Sequence, residues 1–364
     1  MDELTLIAET VRGILGRVPT DEDAAGWSPS AWTELERAGL TRVGVPEEIG
    51  GSGGDPAQTA VVLHAAGYAA APLPLTEATL LAGRLLARAG IRLPDGPLSA
   101  GAGGAAVPAG DGWALSGSVR RVPWGGVAGH VAVLARAEPG PVVALVPARG
   151  LPVTPGRNLA GEPRDTLDLS GVRLGGDAAA PVPPDTHESW RLCGALGRVL
   201  LMAGAAERTL EMCVRYTRER TQFGRPLARF QAVQHHLARI AAETAALRAA
   251  AQAAVLAVAV PDSEPGAGGP GGRAWASVAA AKVRAGRAAG EIAALAHQVH
   301  GALGVTWEHG LRRGTTRLWA WRDEFGSETE WAAAIGARVA RTGPGALWAA
   351  LTDDRLPELQ EVET

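Results

Sequence analysis

Apolar residues recur at helical spacing from the start of the chain. Leu4, Ile7, Ala8, Val11, Ile14 and Leu15 fall three and four residues apart, the signature of one buried helix face. Ser28-Pro29, followed by Trp32, Leu35 and Ala38, predicts a second helix with Ser28 as N-cap and Pro29 in its first position. Gly50-Gly51-Ser52-Gly53-Gly54 is a loop, and Thr59 to Ala71 and Thr76 to Ala89 are two further helical runs. The texture then changes. Short alternating runs at Trp113 to Gly117, His130 to Ala135, Pro141 to Val146, and Leu167 to Leu169 leading to Val172 are separated by turn residues, the pattern of a small antiparallel β unit. Helix returns over Ser189 to Tyr216, Phe230 to Val258 and Arg273 to Val299, with one or two more between Trp307 and Arg341. The Gly- and Pro-rich stretch from Pro261 to Gly272 cannot hold a helix and reads as a surface loop. The expected fold is α+β and mainly α. It has an N-terminal helical domain over 1–92, a middle antiparallel β domain over 93–185 and a C-terminal helical domain over 186–364.

Composition narrows the function classes. Apolar residues make up 46% and charged residues 20% of 364 positions, enough for two or three packed units. A net charge of −3 gives no whole-chain attraction to nucleic acid or acidic membranes. No apolar run reaches about 18 residues without a charge or a breaker, so no membrane span is expected. The start, Met1-Asp2-Glu3-Leu4, lacks the basic and apolar regions of a secretory signal. Cys193 and Cys213 fall within one predicted helix, about 30 Å apart at 1.5 Å per residue. A disulfide needs Cα atoms within about 7 Å. The two cannot pair with each other, which fits a cytoplasmic setting. His235-His236 has no carboxylate or Cys at ligand spacing, so no metal site is expected.

The densest motif is Arg220-Thr221-Gln222-Phe223-Gly224-Arg225-Pro226-Leu227, followed by Phe230-Gln231-Ala232-Val233-Gln234 and Leu237-Ala238. Phe223-Gly224 permits a tight turn, Pro226 restricts the restart of the next helix, and Arg220 carries a planar, permanently charged fork suited to a diphosphate. Taken singly, these residues also suit a helix end, core packing and a cap. A second segment, His297-Gln298-Val299-His300-Gly301-Ala302-Leu303-Gly304-Val305-Thr306-Trp307-Glu308, places glycines at a helix end. In this order the two segments resemble the R-x-Q-F-G-x-P-L…F-Q-x-x-Q…L-A and Q-x-x-G-G-x-G-x-x-x-E segments of the flavin-dependent acyl-CoA dehydrogenase superfamily, with Ala302 in place of the second glycine. The resemblance extends to the layout of the whole chain and implies a C-terminal four-helix bundle. It implies FAD as cofactor, contacted by Arg220, Gln222, Phe223, Gln231, Gln298 and Gly301, with the Arg reaching the FAD of a partner subunit. It also implies an acyl-CoA or related acyl thioester substrate, a homo-oligomer or a heteromer with a homologous subunit, and an electron acceptor flavoprotein.

The sequence departs from that family at two places. The family's T-E-P-x-x-G-S-D loop, which faces the flavin, is matched by Leu98-Ser99-Ala100-Gly101-Ala102-Gly103-Gly104-Ala105, which is shortened and has neither Glu-Pro nor Ser-Asp. Trp124 falls near the family's flavin-stacking position and reads either as a replacement stacking group or as core. The second departure concerns the base. Removing an α-proton from a thioester needs a carboxylate within reach of that proton. Ungapped matching puts Phe325, followed by Gly326 and Ser327, where most of the family has that Glu. It puts Gly194 where a second group of members has it, and Ala195 at a position often held by a substrate-binding Arg. Glu324, one residue away, is the candidate catalytic base, against the alternative of a salt-bridged Glu in Arg322-Asp323-Glu324. His300 is a further titratable group beside the turn. Two functions stay open on the sequence: FAD-dependent α,β-dehydrogenation of an acyl thioester, or a catalytically degenerate or repurposed member, including a partner subunit of a heteromeric enzyme.

Overall fold

A computed structural model describes residues 2–17, 27–259, 272–306 and 310–352. The expected loop from Pro261 to Gly271, and Trp307 and Glu308 of the glycine turn, lie outside the described residues. Helices α1 (Glu3–Leu15), α2 (Pro29–Arg37) and α3 (Pro56–Tyr68) open the chain. Ser28 Oγ accepts from Ala31 N and Pro29 starts α2, while Asp55 and Gln58 form a reciprocal cap on α3. The run from Thr76 to Ala89 is helical but not uniformly α: Glu77–Gly83 forms a π-helical segment that continues into α4 (Arg84–Ala89). Periodicity cannot detect one extra residue per turn. The π segment packs between the β unit and the first long C-terminal helix and carries a buried Glu77 there.

Nine strands follow: β1 (Leu98–Ala109), β2 (Gly112–Ser116), β3 (Ser118–Pro123), β4 (His130–Arg136), β5 (Val142–Pro147), β6 (Val153–Thr154), β7 (Arg164–Asp168), β8 (Arg173–Leu174) and β9 (Ala179–Pro181). A six-stranded sheet in the order β8-β2-β1-β4-β5-β9 faces a three-stranded sheet in the order β3-β7-β6. The pairing is antiparallel as expected, except that β1 and β4 run parallel. The chain leaves β2 for β3 in the second sheet before returning as β4, and that crossover reverses the pairing sense. Strand alternation divides β4 between two cores. Val131 and Val133 pack between the sheets, whereas Ala132 and Leu134 join the cluster shared with the helices.

The C-terminal helices are α5 (Thr186–Glu219), α6 (Gln231–Ala259), α7 (Arg273–His300), α8 (Leu311–Arg322), α9 (Glu328–Thr342) and α10 (Pro344–Thr352). Helix α5 packs on α6, α7 and α8, and α7 also packs on α6, α8 and α9. Both cysteines lie on α5 and both are free. Helix α6 is by length and composition long and apolar enough to cross a membrane, a property that core helices share, although Arg239, Glu243 and Arg248 interrupt its apolar run as expected. It packs along α5 and α7.

The α3–α5 crossing brings backbone against backbone. A Cβ at Gly67 would overlap the Leu201 carbonyl, and one at Gly204 would overlap that of His64. Since both obstacles are main chain, neither can swing away. Gly67→Ala or Gly204→Ala is expected to cost about 1–3 kcal/mol through forced separation of the helices. Urea unfolding would measure this, with Gly336→Ala, where a Cβ meets nothing, as the control.

Candidate active site

The two positions at which the base could be matched are in contact. Phe325 lies at the junction of α8 and α9 with φ 56°, and its ring covers Gly194 on α5, where an added Cβ would overlap it. Residues 131 apart in sequence therefore occupy one spot, and a phenyl ring fills it. Trp190 meets that ring edge-on at 5.2 Å between centroids, and Arg198 lies over it at 5.3 Å. The Phe325 carbonyl accepts from Trp331 Nε1 at 3.0 Å. Gly326 follows at φ 101°, pressed between Trp331 and Arg191, where a side chain would not fit.

Glu324 points the other way, into the interior. Arg164 on β7 grips it with Nε and Nη2, at 2.7 and 3.0 Å, and Arg198 Nε donates to it at 2.6 Å. Asn158 Nδ2 donates at 3.1 Å. The network continues through Arg198 Nη2 to Glu77 at 2.6 Å and through Arg164 Nη2 to Glu162 at 3.1 Å. Glu162 also accepts from Arg317 Nε at 3.0 Å and Trp321 Nε1 at 2.9 Å. Three carboxylates thus balance three guanidiniums, all buried. Burial pushes the Glu324 carboxyl upward, but the Arg164 and Arg198 charges outweigh it and hold the group well below the ordinary carboxylate range. Glu162 is likewise raised by burial but held low by Arg317 and Arg164. Burial disfavours the Arg198 charge, and Glu77 and Glu324 more than restore it. Lys282 on α7 is pushed down to about 7 by burial, and its Nζ donates to the Trp321 and Arg322 carbonyls. A carboxylate so clamped has neither the basicity nor the free lone pair that proton abstraction needs. This environment opposes the base role expected of Glu324 and matches the salt-bridged alternative. The network ties the π segment, the β unit, α5 and α8 together.

The residues expected to contact FAD sit elsewhere, on the surface. Thr221–Gln222 and Arg225–Pro226 pair as a two-residue-per-strand hairpin, with Phe223 and Gly224 both at positive φ in its turn. The Arg220 carbonyl accepts from Leu227 N at 2.9 Å, which closes the base of the hairpin. Phe223 is 89% exposed, edge-on to Phe230 at 6.1 Å, and Arg225 lies over Phe230 at 4.2 Å. Arg220, Gln222, Gln231, Gln298 and Gly301 are all exposed. Gly301 has φ 60° and open space where a Cβ would stand. His300, by contrast, is buried, with Nδ1 2.9 Å from the Ala296 carbonyl and its ring stacked on Tyr216 at 4.5 Å. Burial pushes the neighbouring Cys213 thiol up to about 12.

The stretch matched to the family's flavin-facing loop is a strand. Leu98 to Ala105 lies within β1: Leu98 to Ala102 pair with β4, and pairing with β2 begins at Ala105, after a bulge between Ala102 and Ala105. Ser99 Oγ donates to the Pro123 carbonyl, and Trp124 is buried with its backbone tied to Pro163 and Ala128. Its place is the core. The six residues matched to the family's FAD contacts are thus open to solvent, whereas the segment matched to its flavin-facing loop is built into the sheet.

Sequence profiles of the acyl-CoA dehydrogenase N-terminal domain and C-terminal domain match residues 1–91 and 194–326. The chain is 27% identical over 319 residues to acyl-CoA dehydrogenase IpdE2 of Mycolicibacterium smegmatis, covering 85% of this chain and 90% of that protein. It superposes on the ChsE4–ChsE5 complex of Mycobacterium tuberculosis with a TM-score of 0.84 and 27% identity, covering 94% of this chain and 98% of the other. The Tcur3481–Tcur3483 steroid acyl-CoA dehydrogenase gives a TM-score of 0.80 at 27% identity, covering 93% and 98%. The chain belongs to the acyl-CoA dehydrogenase family.

As an acyl-CoA dehydrogenase by family the chain is an oxidoreductase, and its departures from the family pattern fall at the matched flavin loop and base positions. Sequence matching found Phe325 and Gly194 as the two positions of the family's base but carried no sign that they touch. It also gave no sign that Arg164, Arg198, Glu162 and Glu77 bind Glu324 or its partners. None of them stands in a motif, and only their clustering in space marks them.

Proposed function

We propose that this chain is the subunit of a two-chain FAD-dependent acyl-CoA dehydrogenase that lacks the proton-abstracting carboxylate. Arg220, Gln222, Phe223, Gln231, Gln298 and Gly301 complete the FAD site of a homologous, carboxylate-bearing partner. One observation carries this reading: Phe325 fills the spot that both base positions share, while Glu324 beside it is locked under Arg164 and Arg198. FAD supplies the hydride acceptor of such an enzyme. The residues of this chain bind and orient its diphosphate, with the Arg220 guanidinium as the charge-matched fork. The ChsE4–ChsE5 complex supports pairing of two different chains, and the steroid enzyme supports a bulky acyl-CoA as substrate. Electrons would leave through an electron acceptor flavoprotein. Two free cysteines suit a cytoplasmic setting.

The test is to purify the chain alone and together with a homologous chain that carries Glu at the position of Phe325 or Gly194. Acyl-CoA is added anaerobically and the flavin spectrum is followed. The chain alone should show no substrate-driven flavin bleaching, and the pair should show it. Bleaching of FAD held by the chain alone would defeat the proposal.

A further inference from the structure

A second site lies on the far side of α5. Gly194 and Arg198 are one turn apart on one face of that helix. Leu200, Ala203 and Glu207 follow at helical spacing on the opposite face and line a cavity of about 540 Å³ between α1, α3, α5 and α6. That volume is in the range of pockets for small ligands. Its floor is apolar, built from Val61, Leu200, Ala203 and Val255. At its mouth Leu256 is 66% exposed and Leu4 38% exposed, so the apolar lining continues out to the surface.

The polar groups in the wall are unevenly charged. Arg12, His64 and Arg248 all converge on Glu207, at 3.6, 3.4 and 3.7 Å. Charge-assisted hydrogen bonds run at roughly 2.7–2.9 Å, as they do around Glu324. Here one carboxylate is shared loosely among two guanidiniums and an imidazole. The two guanidiniums and the carboxylate together carry a net charge of +1. One guanidinium is therefore left without a full partner beside an apolar chamber. Arg12 leans over the Tyr68 ring at 5.1 Å. Arg248 is the more exposed of the two, with 54% of its side chain open to solvent.

We propose that this cavity binds an amphipathic monocarboxylate, with its apolar body between α3, α5 and α6 and its head on Arg248 and Arg12. A single negative charge is what the excess of one cation matches. The proposal concerns a site separate from the base position and stands whether or not the chain works as the subunit proposed above.

Decanoate is the probe, with decanol as its neutral counterpart and decyl phosphate, largely doubly charged at neutral pH, as the alternative head. Calorimetry on the full chain should show decanoate binding at one site per chain, with decanol at least ten-fold weaker and decyl phosphate no tighter. Arg248→Gln should weaken decanoate roughly ten-fold, the scale of a lost charge-assisted hydrogen bond, without moving the unfolding midpoint. Val61→Trp should abolish binding by filling the chamber. Equal affinity for decanol, tighter binding of decyl phosphate, or indifference to Arg248→Gln would each overturn the assignment. So would a Val61→Trp variant that binds decanoate unchanged or dissociates an oligomer, since a second copy of the chain would then be the occupant.

Discussion

Glu324→Gln is expected to destabilise the chain by about 3–5 kcal/mol, because it leaves two buried guanidiniums facing a neutral amide. Gln keeps the size of the side chain but accepts at one oxygen only and carries no charge to balance Arg164 and Arg198, which donate to both oxygens of Glu324. Glu328→Gln is the matched control. Glu328 pairs with Arg287 at 3.0 Å in a solvent-exposed bridge, with side chains 37% and 63% open, so its loss should cost at most about 1 kcal/mol. Urea unfolding at neutral pH would measure both. The effect has a pH signature. Glu324 has a folded-state affinity for protons below its unfolded value, so its stabilisation is fully present above the ordinary carboxylate range and is lost as pH falls below it. The gap between wild type and Glu324→Gln should therefore narrow in acid as the wild-type carboxyl protonates. A variant with normal stability that, paired with its partner, no longer bleaches flavin would instead make Glu324 the base.

Arg220→Ala should weaken flavin retention by the assembled enzyme about ten- to a hundred-fold, the equivalent of about 1.5–3 kcal/mol for a charge-assisted hydrogen bond. Arg220 ends α5 with its side chain in solvent. The hairpin after it is closed by main-chain hydrogen bonds, not by the guanidinium. Folding should be indifferent to the change, which separates a binding role from a structural one. Flavin content after gel filtration, set beside the unfolding midpoint, reads the two separately. Unchanged flavin content would remove Arg220 from the site. Phe223→Ala, on the same hairpin, tests whether the 89% exposed ring belongs to the same contact.

The buried ion cluster explains why a catalytic and a structural Glu324 were hard to tell apart from sequence. Neighbouring residues in a turn point in different directions. Phe325 covers Gly194, and Glu324, one position earlier, faces the interior. The partners that decide its chemistry, Arg164 and Arg198, lie 160 and 126 residues away. Nothing in Arg322-Asp323-Glu324 indicates whether its carboxylate meets water, a substrate or two arginines.

What is local in its physics was legible in the sequence. Helices with a repeating apolar face, the Ser28-Pro29 cap, the change to short strands and back, and the Phe223-Gly224 turn each follow from interactions within a few residues, and each stands where its pattern placed it. The two glycine-bearing segments were enough to indicate the family. Tertiary structure alone decided the rest. It made a strand of Leu98 to Ala105, a Gly- and Ala-rich run with little strand propensity of its own, because β4 pairs along it. The small residues there also let the second sheet close in: a Cβ at Gly101 would lie 2.5 Å from Val119. Tertiary structure put a π turn under Glu77, ran β1 parallel to β4, and brought Phe325 onto Gly194. In each case the energy comes from desolvation and contact between segments far apart in the chain, and such terms leave no periodic trace in sequence.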